Sequence, residues 1–577
     1  MQSRTLLRAS CTWLETWLQR PRPRPLSTRL ESMDPEPSEI DENYRVAIST
    51  LNGLQTNAAV LEQIRRRGDD RMVSEYNRMQ QYLERVGIAP ADLAQLNAVH
   101  VSGTKGKGSV CAVTESILRC HDFKTGLYVL VYTLSSCISI ILKAPIIHLR
   151  SPHLLEVRER IRLNGQPLSR GEFVSYFWDV YSKLNNTRHL YNDAMPSYFR
   201  FLTVMAFSVF LSNKVDVAVV EVGIGGTHDS TNIIEEPVVC GITSLGYDHT
   251  DILGPTLFDI AWHKGGICKQ HRPAFTVEQR PEALTGLSRR ARELGASSLS
   301  LVPPLASYPG PLPELGLKGK HQVPNASLAL QLSSYWLQNH SSTQSECVSS
   351  GRADSALPTA APFPLTQEFT DGLRLCRWAG RNQVVERGNV TYYLDGAHTP
   401  ESVAACAEWF LSQMDTSHKS VLPLRSCYIQ SPFPSRQDTL RVLLFNTTGK
   451  RDTRTLLLPL MECGFSRFVF CPNISHSEDT QNSPDHTSHM VTQSSQLSHC
   501  YANQECCKHI LSDKNAGVAD VWEEPASEEK TRACVSVADA LQHMDTHSAA
   551  RVVVLVTGSL HLIGSVMSVL GFTVEDL

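Results

Sequence analysis

Cysteine occurs without any pairing pattern: sixteen residues are scattered over 577 positions, and no CxxC pair is among them. That excludes a disulfide scaffold and a structural zinc ribbon, and it fits a reducing compartment with mostly buried thiols. An excess of charge of either sign is also missing. With a net charge of −4 and 19% charged residues, the chain offers no nucleic-acid-binding composition. Acids are nearly absent from the first thirty positions, where six arginines accompany only Glu15. "MQSRTLLRASCTWLETWLQRPRPRP", with Leu and Trp at helical spacing, reads as a mitochondrial presequence, or else as a plain basic tail. The presequence places the product in the matrix or at the inner membrane. Initiation at Met33, which opens the less basic "MDPEPSEIDENY", would give a cytosolic chain. A clean membrane span is lacking too. Val129 to Leu149 approaches the roughly 20 apolar residues required, but Ser135, Ser136, Cys137, Ser139, Lys143 and Pro145 dilute it.

What is present is enough apolar mass, 42% of residues, for real cores. The length suggests about four domains by simple division, or two large α/β units, and two are expected. Tyr44 to Leu96 has helical spacing, "NAVHVSG" reads as a short buried strand, and "TESILRC" as a helix. "SRGEFVSYFWDVYSKL" and "SYFRFLTVMAFSVFLSN" are two more helices. "KVDVAVVEVGIGG" and "PVVCGITSLGYDHT" are unbroken apolar strands of the kind buried on both faces of a parallel sheet. Gln344 to Pro364 is Ser-, Thr-, Ala- and Pro-rich, after which "NVTYYLDGAHT", "RVLLFNTTGKRD", "RFVFCPN" and "RVVVLVTGSLHLIGSV" repeat the strand-to-loop theme. The expected organisation is a leader over 1–42, an ATP-binding domain over 43–343, a linker over 344–370 and a second α/β domain over 371–577. The fold class is α/β: a mostly parallel P-loop-type sheet and a smaller Rossmann-like unit, with the active site in the cleft between them. Asn473 to Glu529, rich in Ser, His, Gln and Asn, has no sustained period and reads as a disordered insertion. Its His476, His486, His489, Cys506, Cys507 and His509 are irregularly spaced, so solvated loop is favoured over a metal site.

"SGTKGKGS", Ser102 to Ser109, stands between a strand and a helix, the context of a phosphate-binding loop. Gly103, Thr104, Lys105, Gly106, Lys107, Gly108 and Ser109 form it, with Lys107 as the point charge for the β- and γ-phosphates. Gly108 replaces the usual magnesium-binding hydroxyl, so a cation must find ligands elsewhere. Glu221 ends an apolar strand beside this loop, as a metal-binding acid would, though a structural salt bridge is the alternative. On its own, His249 reads as a loop histidine and Lys264 as a solvated lysine. Asp395 repeats the strand-end carboxylate in the second half. These features indicate ATP-dependent transfer without naming an acceptor.

"HVSGTKGKGSV", "SPHLLEVRERIRLNGQPLS", "VVEVGIGGTHDSTNII", "SLGYDHTDILGPTLFDIAWHKGGICK", "GRNQVVERGNVTYYLDGAHT" and "VTGSLHLIG", in this order, resemble the folylpolyglutamate synthases, the folate branch of the Mur ligase superfamily. With the arginine-rich leader, the likeness is to the animal mitochondrial and cytosolic form. The resemblance implies that ATP phosphorylates the terminal carboxylate of a reduced folate and that the amine of L-glutamate attacks the acyl phosphate. It implies Mg²⁺ on Ser151, Glu221 and His249, admits a monovalent cation such as K⁺, and makes Lys264 a lysine that can be carbamylated. Arg381 and Asp395 become nucleotide contacts, and His398 and Ser559 lie near the glutamate. Lys107, Lys264 and His398 are then the catalytic set, in a monomer whose partners are its substrates. A dihydrofolate synthase of the same branch shares the core motifs and stays open, whereas a cell-wall Mur ligase is disfavoured by "SPHL" and "DGAHT".

The chain departs from the family at Val129 to Arg150, about 22 residues without which "TGLY" would run almost directly into "SPHL". The stretch reads as an insertion from alternative splicing or a retained intron. Either it packs aside as a surface hairpin in an active ligase, or it displaces Ser151 and leaves an impaired form that binds nucleotide or folate only. A misplacement of about 1 Å can cost on the order of 100-fold in rate.

Overall fold

The structure is a computed structural model describing residues 37–54, 71–130, 133–135, 148–150, 153–192, 194–340, 357–416, 439–447, 451–477, 493–513, 530–545 and 551–577. The expected presequence falls on residues outside these. The strands among the described residues all lie in the unit Asn43–Leu577. In chain order these are β1 (Val99–Ser102), β2 (Thr125–Tyr128), β3 (Thr133–Ser135), β4 (His148–Arg150), β5 (Ile161–Leu163), β6 (Gln166–Pro167), β7 (Val217–Glu221), β8 (Val239–Ile242), β9 (Pro273–Thr276) and β10 (Ser298–Leu301). They continue with β11 (Gln383–Arg387), β12 (Val390–Leu394), β13 (Thr439–Phe445), β14 (Arg467–Phe470), β15 (Thr531–Ala533) and β16 (Arg551–Thr557).

The first sheet runs β10-β9-β8-β1-β7-β2-β5-β6, parallel except for the antiparallel edge from β2 through β5 to β6. Its central strands are buried throughout because helices cover both faces. Val217 and Val219 of β7 face a core shared with Val110 and Ile117 of the helix Lys107–Cys120. Ala218 and Val220 face the aromatic core of Phe173, Phe177, Phe201 and Phe207 on the helices Arg170–Thr187 and Tyr198–Asn213. The second sheet runs β11-β12-β16-β13-β14-β15, parallel apart from β11 with β12. In β16, Val552, Val554 and Val556 enter one core while Val553 and Leu555 enter the other. Two mostly parallel sheets with helices on both faces are the α/β fold expected. Among the described residues no helix is long and apolar enough to cross a membrane.

Three sequence expectations are corrected here. Within the tract read as disordered, Gln493–Ser512 is a 20-residue helix. Its inward line is Cys500, Asn503, Cys507 and Ile510, all buried at spacings of three and four. The helical period was there, but two cysteines and an asparagine carry it, and these do not register as an apolar stripe. His476 precedes this helix, Cys506 and His509 lie on it, and His486 and His489 fall outside the described residues. The assigned linker ends sooner than residue 370, since the helix Gln367–Leu375 buries Phe369 and Leu373 in the first sheet's core.

The third correction concerns the insertion. Val129 and Leu130 are buried, Val129 with Leu127 in one core and Leu130 with Tyr128 in the other, so they prolong the alternation of β2. The Val129 N–H donates to the Arg160 carbonyl at 3.0 Å. The departure from the sheet therefore begins after Leu130. Beyond it, β3 and β4 pair antiparallel as a ribbon of their own, separate from both sheets.

Candidate active site

β8, β1 and β7 lie side by side, so the segments leaving their carboxyl ends converge. Gly103, directly after β1, has φ +145°, and a Cβ there would stand 1.8 Å from Thr243 Oγ1 in the segment after β8. Gly106, with φ +87°, would put its Cβ 2.4 Å from Asn325 Oδ1. Glycine is thus demanded by two neighbours as well as by backbone conformation. The amides of Thr104 and Lys105 both donate to the Ser244 carbonyl at 3.1 Å. These two residues tether the loop, which leaves the first-turn amides of the helix Lys107–Cys120 as the groups able to receive an anion. At Gly108 a Cβ would lie 3.3 Å from Trp378 Nε1 and 3.6 Å from Glu221 Oε2. A side chain at that position would therefore stand in tight contact with Trp378 and beside Glu221.

Lys107 Nζ and Lys264 Nζ both donate to the Gly103 carbonyl, at 3.1 and 2.8 Å. Lys264 ends the helix Leu257–Lys264 and is only 2% exposed, so the solvated lysine expected from its own segment is overturned. Burial, and then the neighbouring Lys107 charge, push its ammonium down to about 7. Glu221, the last residue of β7, lies 4.0 Å from Lys107 through Oε1. Burial drives its carboxyl up to about 7 against the pull of Lys107, Arg381 and Arg160 and of the Leu130 amide. His249 sits at φ +53° before a single turn, Thr250–Leu253, and burial holds its ring down to about 4, so it is neutral at pH 7. Glu221 Oε2 and His249 Nδ1 are buried without a hydrogen-bond partner. An orphaned carboxylate oxygen beside a phosphate-binding loop fits magnesium, which takes one or two carboxylates together with substrate phosphates. Ser151, the third ligand implied, lies outside the described residues.

The second cluster stands at the adjacent ends of β12 and β16. Asp395 accepts the amides of Asn382 at 3.0 Å and Ala397 at 2.9 Å, and burial raises its carboxyl while Arg381 opposes the shift. His398 Nδ1 bonds the Gly396 carbonyl at 2.8 Å, and burial followed by the Lys105 and Arg451 charges takes the ring down to about 3. Ser559 is buried just before the helix Leu560–Val569, and the preceding Gly558 donates to the Ala397 carbonyl at 2.9 Å. His398 and Ser559 are thereby brought into one neighbourhood.

The two clusters face one another. Arg381 acts electrostatically on Glu221, Lys105 acts on His398, and Trp378 abuts Gly108. A cleft lined by His153, Leu154, Arg160, Arg162, Trp378 and Arg381 opens between them. Sequence reasoning passed over Asp248, Trp378 and the arginines of "VRERIR". Burial opposes ionisation of Asp248, yet His249, Lys105, Lys264 and Lys107 hold its carboxyl below the usual range. Its adjacency to His249 was the available signal. Trp378 lies three residues before Arg381 and carries the Arg162 guanidinium 5.0 Å from its ring centroid, a pairing between distant segments.

No family model matches the chain. It is 41% identical to the mitochondrial folylpolyglutamate synthase of Homo sapiens over 93% of both chains. It is 42% identical to that of Bos taurus over 92% of this chain and 85% of the relative. Among solved structures, the Mycobacterium tuberculosis folylpolyglutamate synthase complexed with ADP superposes with TM-score 0.63 at 20% identity, covering 92% of this chain and 99% of that one. A complex of FPGS with AMPPCP and folate gives TM-score 0.57 at 20% identity over 92% and 100% of the two chains.

Proposed function

The chain belongs to the folylpolyglutamate synthase family, and from that premise we propose how its residues carry out ATP-dependent addition of L-glutamate to the γ-carboxylate of a reduced folate. The observation that carries the proposal is the convergence of Lys107, Lys264 and Glu221 on the loop after β1, opposite Arg381, Asp395 and His398. A carboxylate is a poor acyl donor until a phosphate leaving group is installed. Lys107 and the helix amides from Lys107 onward hold the phosphates and stabilise charge as the γ-phosphoryl moves to the folate oxygen. ADP leaves, the glutamate amine attacks the acyl carbon, and phosphate departs as the amide forms. Arg381 and Asp395 orient the nucleotide from the second sheet, and His398 and Ser559 lie where the glutamate enters.

Glu221 and His249, with Ser151, would hold Mg²⁺, which would neutralise charge on the transferring phosphoryl group. A buried amine that titrates near 7 is uncharged often enough to take up CO₂, which supports the carbamylated state of Lys264. A K⁺ ion belongs to the same proposal. The arginine-rich leader and the mitochondrial names of the relatives support a mitochondrial product, with a cytosolic one from Met33. We place the division between the nucleotide-binding and glutamate-binding domains after the helix Gln367–Leu375, which packs with the first sheet, and the working form is a monomer.

The test is Mg²⁺- and ATP-dependent incorporation of labelled glutamate into tetrahydrofolate, on residues 33–577 and on the same chain lacking 131–150. Equal activity means that the β3–β4 ribbon is accommodated beside the site. Activity only after the deletion assigns the ribbon to an impaired form. Incorporation by neither chain would overturn the ligase mechanism as drawn.

A further inference from the structure

Away from the cleft, the chain leaving β15 assembles three metal-ligating side chains of different kinds. Cys534 follows the last residue of β15, and Asp539 and His543 lie one turn apart on the helix Val537–Asp545. The Cys534 sulfur, an Asp539 oxygen and a His543 ring nitrogen all lie within 4.8 Å of one another. His543 Nδ1 is 3.1 Å from Asp539 Oδ1. β15 is the edge strand, and β13 and β14 separate it from β16. Three strand spacings amount to about 14 Å, so these groups form no part of the cluster around Ser559.

We propose that Cys534, Asp539 and His543 bind a zinc-class divalent cation that pins the helix Val537–Asp545 to the edge of the second sheet. A thiolate, an imidazole and a carboxylate are a donor set that selects zinc over magnesium or calcium, which prefer oxygen alone. Tetrahedral zinc with bonds of about 2.0–2.3 Å sets its ligand atoms roughly 3.3–3.7 Å apart. The His543–Asp539 pair is already close to that spacing; on binding, the ion takes the place of the 2.8 Å bond between His543 Nδ1 and the Asp539 carbonyl and draws in the sulfur. The other Asp539 oxygen accepts the Val535 N–H at 3.0 Å, which orients the carboxylate with Oδ1 toward His543. Access is one-sided. Cys534 is 2% exposed, whereas the His543 and Asp539 side chains are 38% and 28% exposed, so an ion enters from solvent and meets the thiol at the bottom. Cys471, buried after the neighbouring strand β14 and level with Cys534, is a further donor for a fourth position that water would otherwise fill.

The test is a titration of the metal-free full chain with Co²⁺, a spectroscopic stand-in for zinc. One equivalent should bind with a thiolate-to-cobalt charge-transfer absorption that Zn²⁺ abolishes by displacement. Cys534→Ser should remove that absorption. His543→Gln, on a half-exposed helix position that tolerates change, should weaken binding tenfold or more while leaving glutamate ligation unaltered. Absence of a thiolate absorption in the parent chain would overturn the proposal. So would an absorption and affinity that persist unchanged in both variants, because the metal would then sit on other cysteines.

Discussion

The strand-end cluster of the first sheet and that of the second use the same kinds of residue and treat them differently. In the first, Lys107 and Lys264 share one carbonyl, while Glu221 Oε2 and His249 Nδ1 are buried with no hydrogen bond. In the second, Asp395 is held by two backbone amides and His398 by the Gly396 carbonyl. Unsatisfied buried polar atoms are expensive and persist where a ligand completes them. Satisfied ones hold geometry. On the proposed function the first cluster acts on the anion and the second positions what reacts there, with the Asn382 side-chain amide beside Asp395 as the second cluster's own buried group without a partner.

That contrast predicts separable phenotypes. Lys107→Ala should cut glutamate ligation by roughly 1000-fold or more while leaving the urea midpoint nearly unchanged, since Lys107 supplies charge rather than packing. A large loss of stability would erase the distinction. Asp395→Ala should do the reverse in part, leaving the Asn382 and Ala397 amides orphaned and lowering stability by about 2–6 kcal/mol at roughly 1–3 per buried donor. Equilibrium unfolding in urea measures this, and a midpoint equal to the parent's would show that the second cluster is no more structural than the first.

His398 gives the most diagnostic effect, because it is confined to acid pH. Its folded pKa of about 3 lies below the ordinary 6.5, so between these values the unfolded chain binds a proton that the folded one does not. Stability from this group is complete above pH 6.5 and is lost as pH falls toward about 3, by up to tenfold in the unfolding constant per pH unit. His398→Asn should flatten the acid limb of the stability profile by that one proton. An unchanged slope would mean that His398 is solvated and not part of a rigid, dry cluster.

Much of this was legible in the chain. The run Val217–Val220 announced a strand buried on both faces, and Ser102–Ser109 announced a strand, a phosphate loop and a helix, because these depend on neighbours in sequence. The helix Gln493–Ser512 was not legible, since its buried stripe of Cys500, Asn503 and Cys507 lacks the residues by which periodicity is recognised. Nor were Val129 and Leu130 separable from the apolar insertion that follows them, because strand and insertion share a composition and differ only in which core they enter.

The sequence by itself determined the fold class, the phosphate loop, the acids at strand ends and the family to which six ordered motifs belong. Tertiary structure alone decided the electrostatic state of the site. Lys264 meets the Gly103 carbonyl across 161 positions of chain, and its burial there takes it to a pKa near 7. Trp378, distant in sequence, sets its Nε1 3.3 Å from where a Cβ at residue 108 would stand, a tight fit. A residue's type is written locally, whereas its solvation, its partners and the room left beside it are set by whatever the rest of the fold packs against it.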